Sequence, residues 1–158
     1  MAGADSSFVP TTIKNLDRLD IAGAVTLFEA QMREHEMPSH AEELRKAIET
    51  VLADPGRGFI LVASADERLL GVAYAATLMS LEHAGTIGSL EELYVLPESR
   101  GCGIGGALID EVLSRARRLG WKGVELEVTE GHERAGRLYV RHGFQLLSRQ
   151  RYAHPFSR

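Results

Sequence analysis

Glu91-Glu92-Leu93-Tyr94-Val95-Leu96-Pro97-Glu98-Ser99-Arg100-Gly101-Cys102-Gly103-Ile104-Gly105-Gly106 joins an apolar run to a helical pattern through a proline, an arginine and four glycines. The apolar run has strand character and stops at Pro97. Glycines let the backbone approach a ligand closely, and the first N–H groups of a helix have no acceptor within it. A turn of this kind holds an anion against the positive end of the helix dipole. The main-chain amides of Gly101, Cys102, Gly103, Ile104, Gly105 and Gly106 are therefore candidate ligands for a pyrophosphate, with Arg100 adding charge at its edge. A glycine run with no ligand is a poor account, because each glycine costs about 1 kcal/mol inside an element and returns no packing.

Around this stretch the chain alternates between the two hydrophobic periods. A short strand is expected near Thr11–Leu16, then a helix from Ile21 to Glu34 capped by Asp20. Ser39 and Glu42 form a capping-box signature, and the helix it opens carries Leu44, Ala47, Ile48, Val51 and Leu52 along one face. Asp54-Pro55-Gly56 ends that helix. Phe59–Ser64 and Leu69–Leu78 read as an antiparallel hairpin, and Thr86–Leu96 as the central strand. A helix over Gly105–Leu119 stops at Gly120. Val124–Val128 alternates as a strand, Glu133–His142 is a helix ended by Gly143, and Phe144–Tyr152 is a last strand. This β-α-α-β-β-β-α-β-α-β order predicts an α/β fold, a mixed sheet with helices on both faces.

Gly101-Cys102-Gly103-Ile104-Gly105-Gly106 also satisfies the dinucleotide pattern Gly-x-Gly-x-x-Gly, with Glu125 or Glu127 some twenty residues on. Three features oppose that reading. Pro97–Arg100 separates strand from glycines, whereas the dinucleotide turn follows its strand at once. Too little chain follows the loop for a doubly wound sheet, and an antiparallel hairpin precedes it. No Gly-Lys-Ser/Thr closes the run, which excludes a Walker loop.

With 158 residues, 18 basic and 22 acidic, the chain has a formal net charge of −4. That balance gives no case for nucleic-acid binding, which needs clustered cations, and no basic amphipathic face suits a membrane surface. Residues 1–7 read as a disordered leader rather than a signal peptide, followed by one domain over 8–158. The single cysteine, Cys102, forbids an internal disulfide and suits a reducing cytoplasm. The six histidines show no metal-ligand spacing, so no metal is expected.

Arg100-x-x-Gly103-x-Gly105, placed after Leu93-Tyr94-Val95-x-Pro97, resembles the acetyl-CoA loop of the GNAT superfamily of N-acetyltransferases. A second block, His132-Glu133-Arg134-Ala135-Gly136-Arg137-Leu138-Tyr139-Val140-Arg141-His142-Gly143-Phe144, is similar to the family's Asn-x-x-Ala-x-x-Leu-Tyr-x-x-x-Gly-Phe. One helix and one strand separate the blocks, as in the family, and together they cover roughly Leu90 to Phe144. His132 stands where the family has asparagine. The resemblance implies a GNAT-like, mostly antiparallel mixed sheet and acetyl-CoA as acetyl donor. It places Leu93, Tyr94 and Val95 along the pantetheine arm, the glycine loop at the pyrophosphate and His132 near the arm. It also implies Tyr139 as the general acid for the leaving thiolate.

The amine acceptor must lose a proton. A primary alkyl amine of pKa about 10.4 costs about 4.6 kcal/mol to neutralise at pH 7. A carboxylate can take that proton, often through water. Glu91 and Glu92 on the central strand are candidates. Strand alternation turns them to opposite faces, so one of the pair is expected to reach the acceptor. Polyamine acetyltransferases that resemble this region carry an acidic pair here, which favours Glu91. Glu127 is the third candidate, five residues before His132, where ribosomal-protein N-terminal acetyltransferases of the family carry a catalytic glutamate. Arg115, Arg117, Arg118 and Lys122 form a basic cluster that can meet the adenosine 3′-phosphate. Glu29, Glu34, Glu36, Glu42 and Glu43 make the first helix pair acidic.

The expected activity is acetyl transfer to a primary amine of a small molecule, by direct attack in a ternary complex. Transfer to a protein N-terminus or lysine, or acetyl-CoA binding without turnover, are the alternatives. The resemblance makes a homodimer reasonable.

Overall fold

The structure, a computed structural model, describes residues 10–156, so the leader expected over residues 1–7 lies outside the described residues. Five strands form one sheet in the order β1-β2-β3-β4-β5: β1 (Thr12–Asn15), β2 (Gly58–Ala65), β3 (Arg68–Ser80), β4 (Gly85–Val95) and β5 (Val124–Leu126). All neighbours are antiparallel except β4 and β5, which run parallel. This is a mixed, mostly antiparallel α/β sheet. The β2–β3 turn places Asp66 and Glu67 at φ +47° and +63°, the positive pair a two-residue hairpin requires.

Helices α1 (Ile21–Glu34) and α2 (Ala41–Ala53) cover one face of the sheet. Ile21, Ala24, Leu27 and Phe28 of α1 and Ile48 of α2 pack there on Ile60, Val62, Val72 and Tyr94. Helix α3 (Ile104–Arg118) covers the other face, burying Leu108, Ile109, Val112 and Ala116. Gly71 shows how close that approach is: a Cβ there would come within 3.2 Å of Leu108 and 3.0 Å of the Tyr94 carbonyl.

Local signals were used differently from expectation at three places. Asp20 makes no cap bond to α1, because its carboxylate is held by Lys14 at 2.8 Å. Asp17 caps the 3-10 turn Arg18–Asp20 that leads into α1, accepting from the N–H groups of Leu19 and Asp20. The Ser39/Glu42 capping box does not form: α2 begins at Ala41 with His40 at its N-cap, and the Ser39 hydroxyl donates to Glu29 on α1. The strand expected over Phe144–Tyr152 is absent among the described residues.

The described chain falls into two compact units, one ending at Glu127 and one beginning at Val128. The second holds α4 (Glu133–Arg141). Gly143, at φ +88°, ends α4: the N–H of Gly143 donates to the Val140 carbonyl, and that of Phe144 to the Tyr139 carbonyl. That pair of bonds is a Schellman motif.

Candidate active site

The register of β3 against β4 breaks at one point. Tyr74 faces Glu92, and the next pair is Ala75 with Leu90, so Glu91 is the extra residue of a β-bulge. Ser89 faces Ala76 and so shares the side of the sheet occupied by Tyr74 and Glu92. The Ser89 hydroxyl donates to the Glu91 carboxylate, which brings Glu91 to that side as well. The expected opposition of Glu91 and Glu92 needs unbroken alternation; the bulge removes it, and both carboxylates stand on the face that carries α1 and α2.

Within this group Glu92 is the sheltered member and Glu91 the exposed one. Burial pushes the Glu92 carboxyl above its ordinary value, and the charge of Glu91 adds to the shift, while a hydrogen bond from the Gln31 amide opposes it. Gln31 is itself only 7 % exposed, a buried polar side chain on the inward face of α1. Tyr74 is raised by burial and then by the Glu91 charge, with the Arg57 cation pulling the other way. Sequence reasoning passed over Gln31, Tyr74, Ser89 and Arg57. Gln31 had a readable signal, a polar residue where the stripe of α1 calls for an apolar one. The other three are joined only by strand register.

Pairing between β4 and β5 ends at Leu90 with Leu126, one residue before the bulge. From Glu91 to Val95 the edge of β4 turned away from β3 has no strand beside it among the described residues of this unit. The Leu96 N–H donates to the Leu70 carbonyl on β3, and successive N–H groups alternate along a strand. The N–H groups of Val95 and Leu93 therefore point to the open edge, and that of Tyr94 points to β3. The Val95 carbonyl on the same edge is taken by Arg100 Nε at 2.8 Å.

The open edge leads straight into the glycine turn. Gly101 and Gly103 lie at φ +78° and +83°, where side chains are strained, and a Cβ at Gly103 would meet nothing within 4 Å. Space above the turn is thus open, and glycine is required there by the backbone. The first intrahelical bond of α3 runs from the Ala107 N–H to the Gly103 carbonyl at 3.0 Å. The N–H groups of Gly103, Ile104, Gly105 and Gly106 precede it and have no acceptor in the helix. Cys102 is exposed beside them. The loop's donors and open floor fit a pyrophosphate on backbone geometry alone.

Arg100 is engaged inside the protein. Its Nη2 donates to both oxygens of Glu34, at 2.8 and 2.9 Å, and its guanidinium lies 5.3 Å from the Tyr94 ring centroid. The Tyr94 hydroxyl donates to the same carboxylate at 3.1 Å. The loop is thereby tied to the end of α1. The basic cluster of α3 is also spoken for in part: Arg115 binds Asn15 and stacks on Phe59, and Arg118 binds Glu111 and Ser114.

Glu127 is exposed and follows the last residue of β5 directly. In the second unit His132 is the N-cap residue of α4 and makes no side-chain cap bond. Tyr139, about two helical turns further on, is half-buried with its ring edge-on to Phe144 at 5.7 Å. Among the described residues no group of three or more His, Cys, Asp or Glu is placed to hold a metal ion. No helix among them is long and apolar enough to cross a membrane.

The profile of the acetyltransferase (GNAT) family matches residues 24–144. The chain belongs to that family. An uncharacterized N-acetyltransferase of Archaeoglobus fulgidus is 37% identical over 82 residues, 51% of this chain and 56% of that one. The aminoalkylphosphonate N-acetyltransferase of Salmonella typhimurium is 38% identical over 65 residues, 41% of this chain and 42% of that one. The chain thus spans about half the length of the curated relatives it matches. A predicted acetyltransferase from Clostridium acetobutylicum, solved with acetyl-CoA, has the same fold with a TM-score of 0.77 and 19% identity, over 92% of this chain and 96% of that one.

Proposed function

We propose that the chain transfers an acetyl group from acetyl-CoA to a primary amine of a small molecule, by direct attack in a ternary complex. The observation that carries this reading is the continuity of the site. The β4 edge opens at the Glu91 bulge, exposes the N–H groups of Leu93 and Val95, and ends in the glycine-turned start of α3. Family membership and the Salmonella relative, named for acetylating aminoalkylphosphonates, support the amine as acceptor.

In this reading Gly103, Ile104, Gly105 and Gly106 give their N–H groups to the diphosphate, with Gly101 and Cys102 completing the turn. Leu93 and Val95 give N–H groups to the pantetheine arm and the thioester carbonyl; a donor placed at a developing oxyanion is worth about 3–4 kcal/mol. Acetyl-CoA supplies the activated acyl group and a thiolate as leaving group. Arg100 keeps the loop in place through Glu34 and Val95 and acts on the diphosphate through that order. Glu92 accepts the amine's proton, through water where the amine does not reach it: its raised pKa strengthens it as a base. Glu91 holds the cationic amine beforehand. Tyr139 protonates the departing thiolate, and His132 contacts the pantetheine arm where the family uses asparagine. Glu127 is the base of the competing reading, transfer to a protein N-terminus. Residues 8–158 then act as one domain, and the family match crosses the Glu127–Val128 boundary.

The test is CoA-thiol release across an amine panel, run with Glu92→Gln and Glu127→Gln. Loss of turnover in Glu92→Gln alone is expected. Loss in Glu127→Gln alone would transfer the base to that residue, and tight acetyl-CoA binding with no release for any acceptor would make the chain a binding module.

A further inference from the structure

On the face that holds Glu91 and Glu92, a solvent-open trough of about 600 Å³ lies between the end of α2 and β3. Tyr74 and Ala76 form its floor, and Thr50, Asp54 and Arg57 line its side. The floor residues are the register partners of Glu92 and Ser89 on the neighbouring strand, so the floor of the trough and the acidic pair lie side by side on one face of the sheet. Arg57 is its one lining cation. The turn Asp54-Pro55-Gly56-Arg57 fixes the backbone that carries that cation. Asp54 accepts from the Gly56 N–H at 2.9 Å and faces Arg57 Nε at 3.4 Å, and the Arg57 N–H donates to the Asp54 carbonyl at 3.0 Å. The next residue, Gly58, lies at φ +128° against β3, where a Cβ would collide with the Ala75 carbonyl and come within 2.9 Å of Ala76 Cα. Arg57 is therefore anchored one residue from a point where only glycine fits.

We infer that this trough is a subsite for an oxyanion on the acceptor, so that the substrate is an amine bearing a carboxylate or phosphonate, with Arg57 as the specificity-determining residue. The inference rests on the acetyltransferase reading and names its acceptor class. Both charges reach Tyr74 on the trough floor: the Glu91 anion raises its pKa and the Arg57 cation lowers it. A zwitterion laid along the floor meets the complementary charge at each end: its ammonium at Glu91 and Glu92, its oxyanion at Arg57. A guanidinium suits either oxyanion, since its planar fork matches carboxylate and phosphonate oxygens alike. Asp54 holds part of the cation's charge and orients it. A purely cationic amine, by contrast, would set a positive end against Arg57.

The experiment compares initial rates of CoA-thiol release for matched acceptors of equal carbon number: alkylamines, ω-amino carboxylates and ω-aminoalkylphosphonates, with spermidine as the polycation. For the wild type, an anionic member is expected to exceed its alkylamine by about tenfold or more in kcat/KM, the size of a charge-assisted contact. Which anion ranks higher separates carboxylate from phosphonate. Arg57→Ala should raise KM for the anionic acceptors by about tenfold, with kcat and the alkylamine rates little changed, and Arg57→Lys should recover part of the loss. The inference is overturned if Arg57→Ala slows alkylamines and anionic amines equally, or if alkylamines or spermidine are the better wild-type substrates; either result leaves the acetyltransferase reading standing. No release with any amine would remove both.

Discussion

Glu92 carries opposite demands. Its carboxylate must be charged to take a proton from the amine, yet burial and the neighbouring Glu91 charge disfavour that state. The raised pKa moves the acidic limb of the rate profile upward from the ordinary glutamate value, and Glu92→Gln should lower kcat about 100-fold or more and abolish that limb. The same shift predicts stability with the opposite sign. A carboxyl whose pKa is raised by folding favours the native state below its unfolded pKa of about 4.3, and the advantage disappears as pH rises through the folded value. At neutral pH the wild type therefore holds an unfavourable charge, and Glu92→Gln should melt higher at pH 7–8, with the difference vanishing toward pH 4. Thermal melts of both proteins across pH check this. For Tyr139, replacement by Phe removes the proposed acid while keeping the ring against Phe144. The expected result is a fall in kcat of about 10–100-fold, and unchanged turnover near neutral pH would remove the assignment.

Among the elements, the glycine turn and the β4 bulge decide where chemistry can occur. Gly103 is held at φ +83° with open space where a side chain would project, so any penalty for Gly103→Ala comes from the backbone and not from a clash. That penalty is about 1–2 kcal/mol, visible as a lower denaturation midpoint, and acetyl-CoA affinity should weaken as the turn relaxes. The Arg100–Glu34 pair belongs to the same device. Both side chains are part-exposed at 39 %, and such pairs contribute about 0–1 kcal/mol. Glu34→Gln should thus cost little stability, while loosening the loop and raising the dissociation constant for acetyl-CoA, measured by calorimetry. Elements with strong local periodicity were legible in the residues: α1 spans Ile21–Glu34 as expected, and the hairpin, central strand and α3 lie within a few residues of their expected limits. The capping box failed because Ser39 found a longer-range acceptor in Glu29. The expected last strand over Phe144–Tyr152 is not formed among the described residues.

For the molecule as a whole, binding and folding are linked. A ligand that binds only the native state adds about 2.7 kcal/mol at a hundred times its dissociation constant. Saturating acetyl-CoA should therefore raise the melting temperature clearly, and NAD(P) should leave it unchanged; the reverse pattern would restore the dinucleotide reading of the same glycines. The resemblance of two blocks, around Arg100–Gly106 and His132–Phe144, was enough to expect the family that the match over residues 24–144 shows. Both blocks are local strings whose meaning lies in turn geometry and helix ends, which depend on nearby residues alone. The arrangement of the acidic face had no such string. One extra residue in β4 reversed the expected orientation of Glu91 and set it beside Glu92, Tyr74 and Ser89, and α1 brought Gln31 to Glu92 from far away in the chain. Side-chain direction in a strand is set by pairing with its neighbour, so a bulge is defined only once both strands are in place. Residues that meet across a sheet share no sequence interval, and for that reason the fold family was readable in the chain while the acceptor face emerged only from its folding.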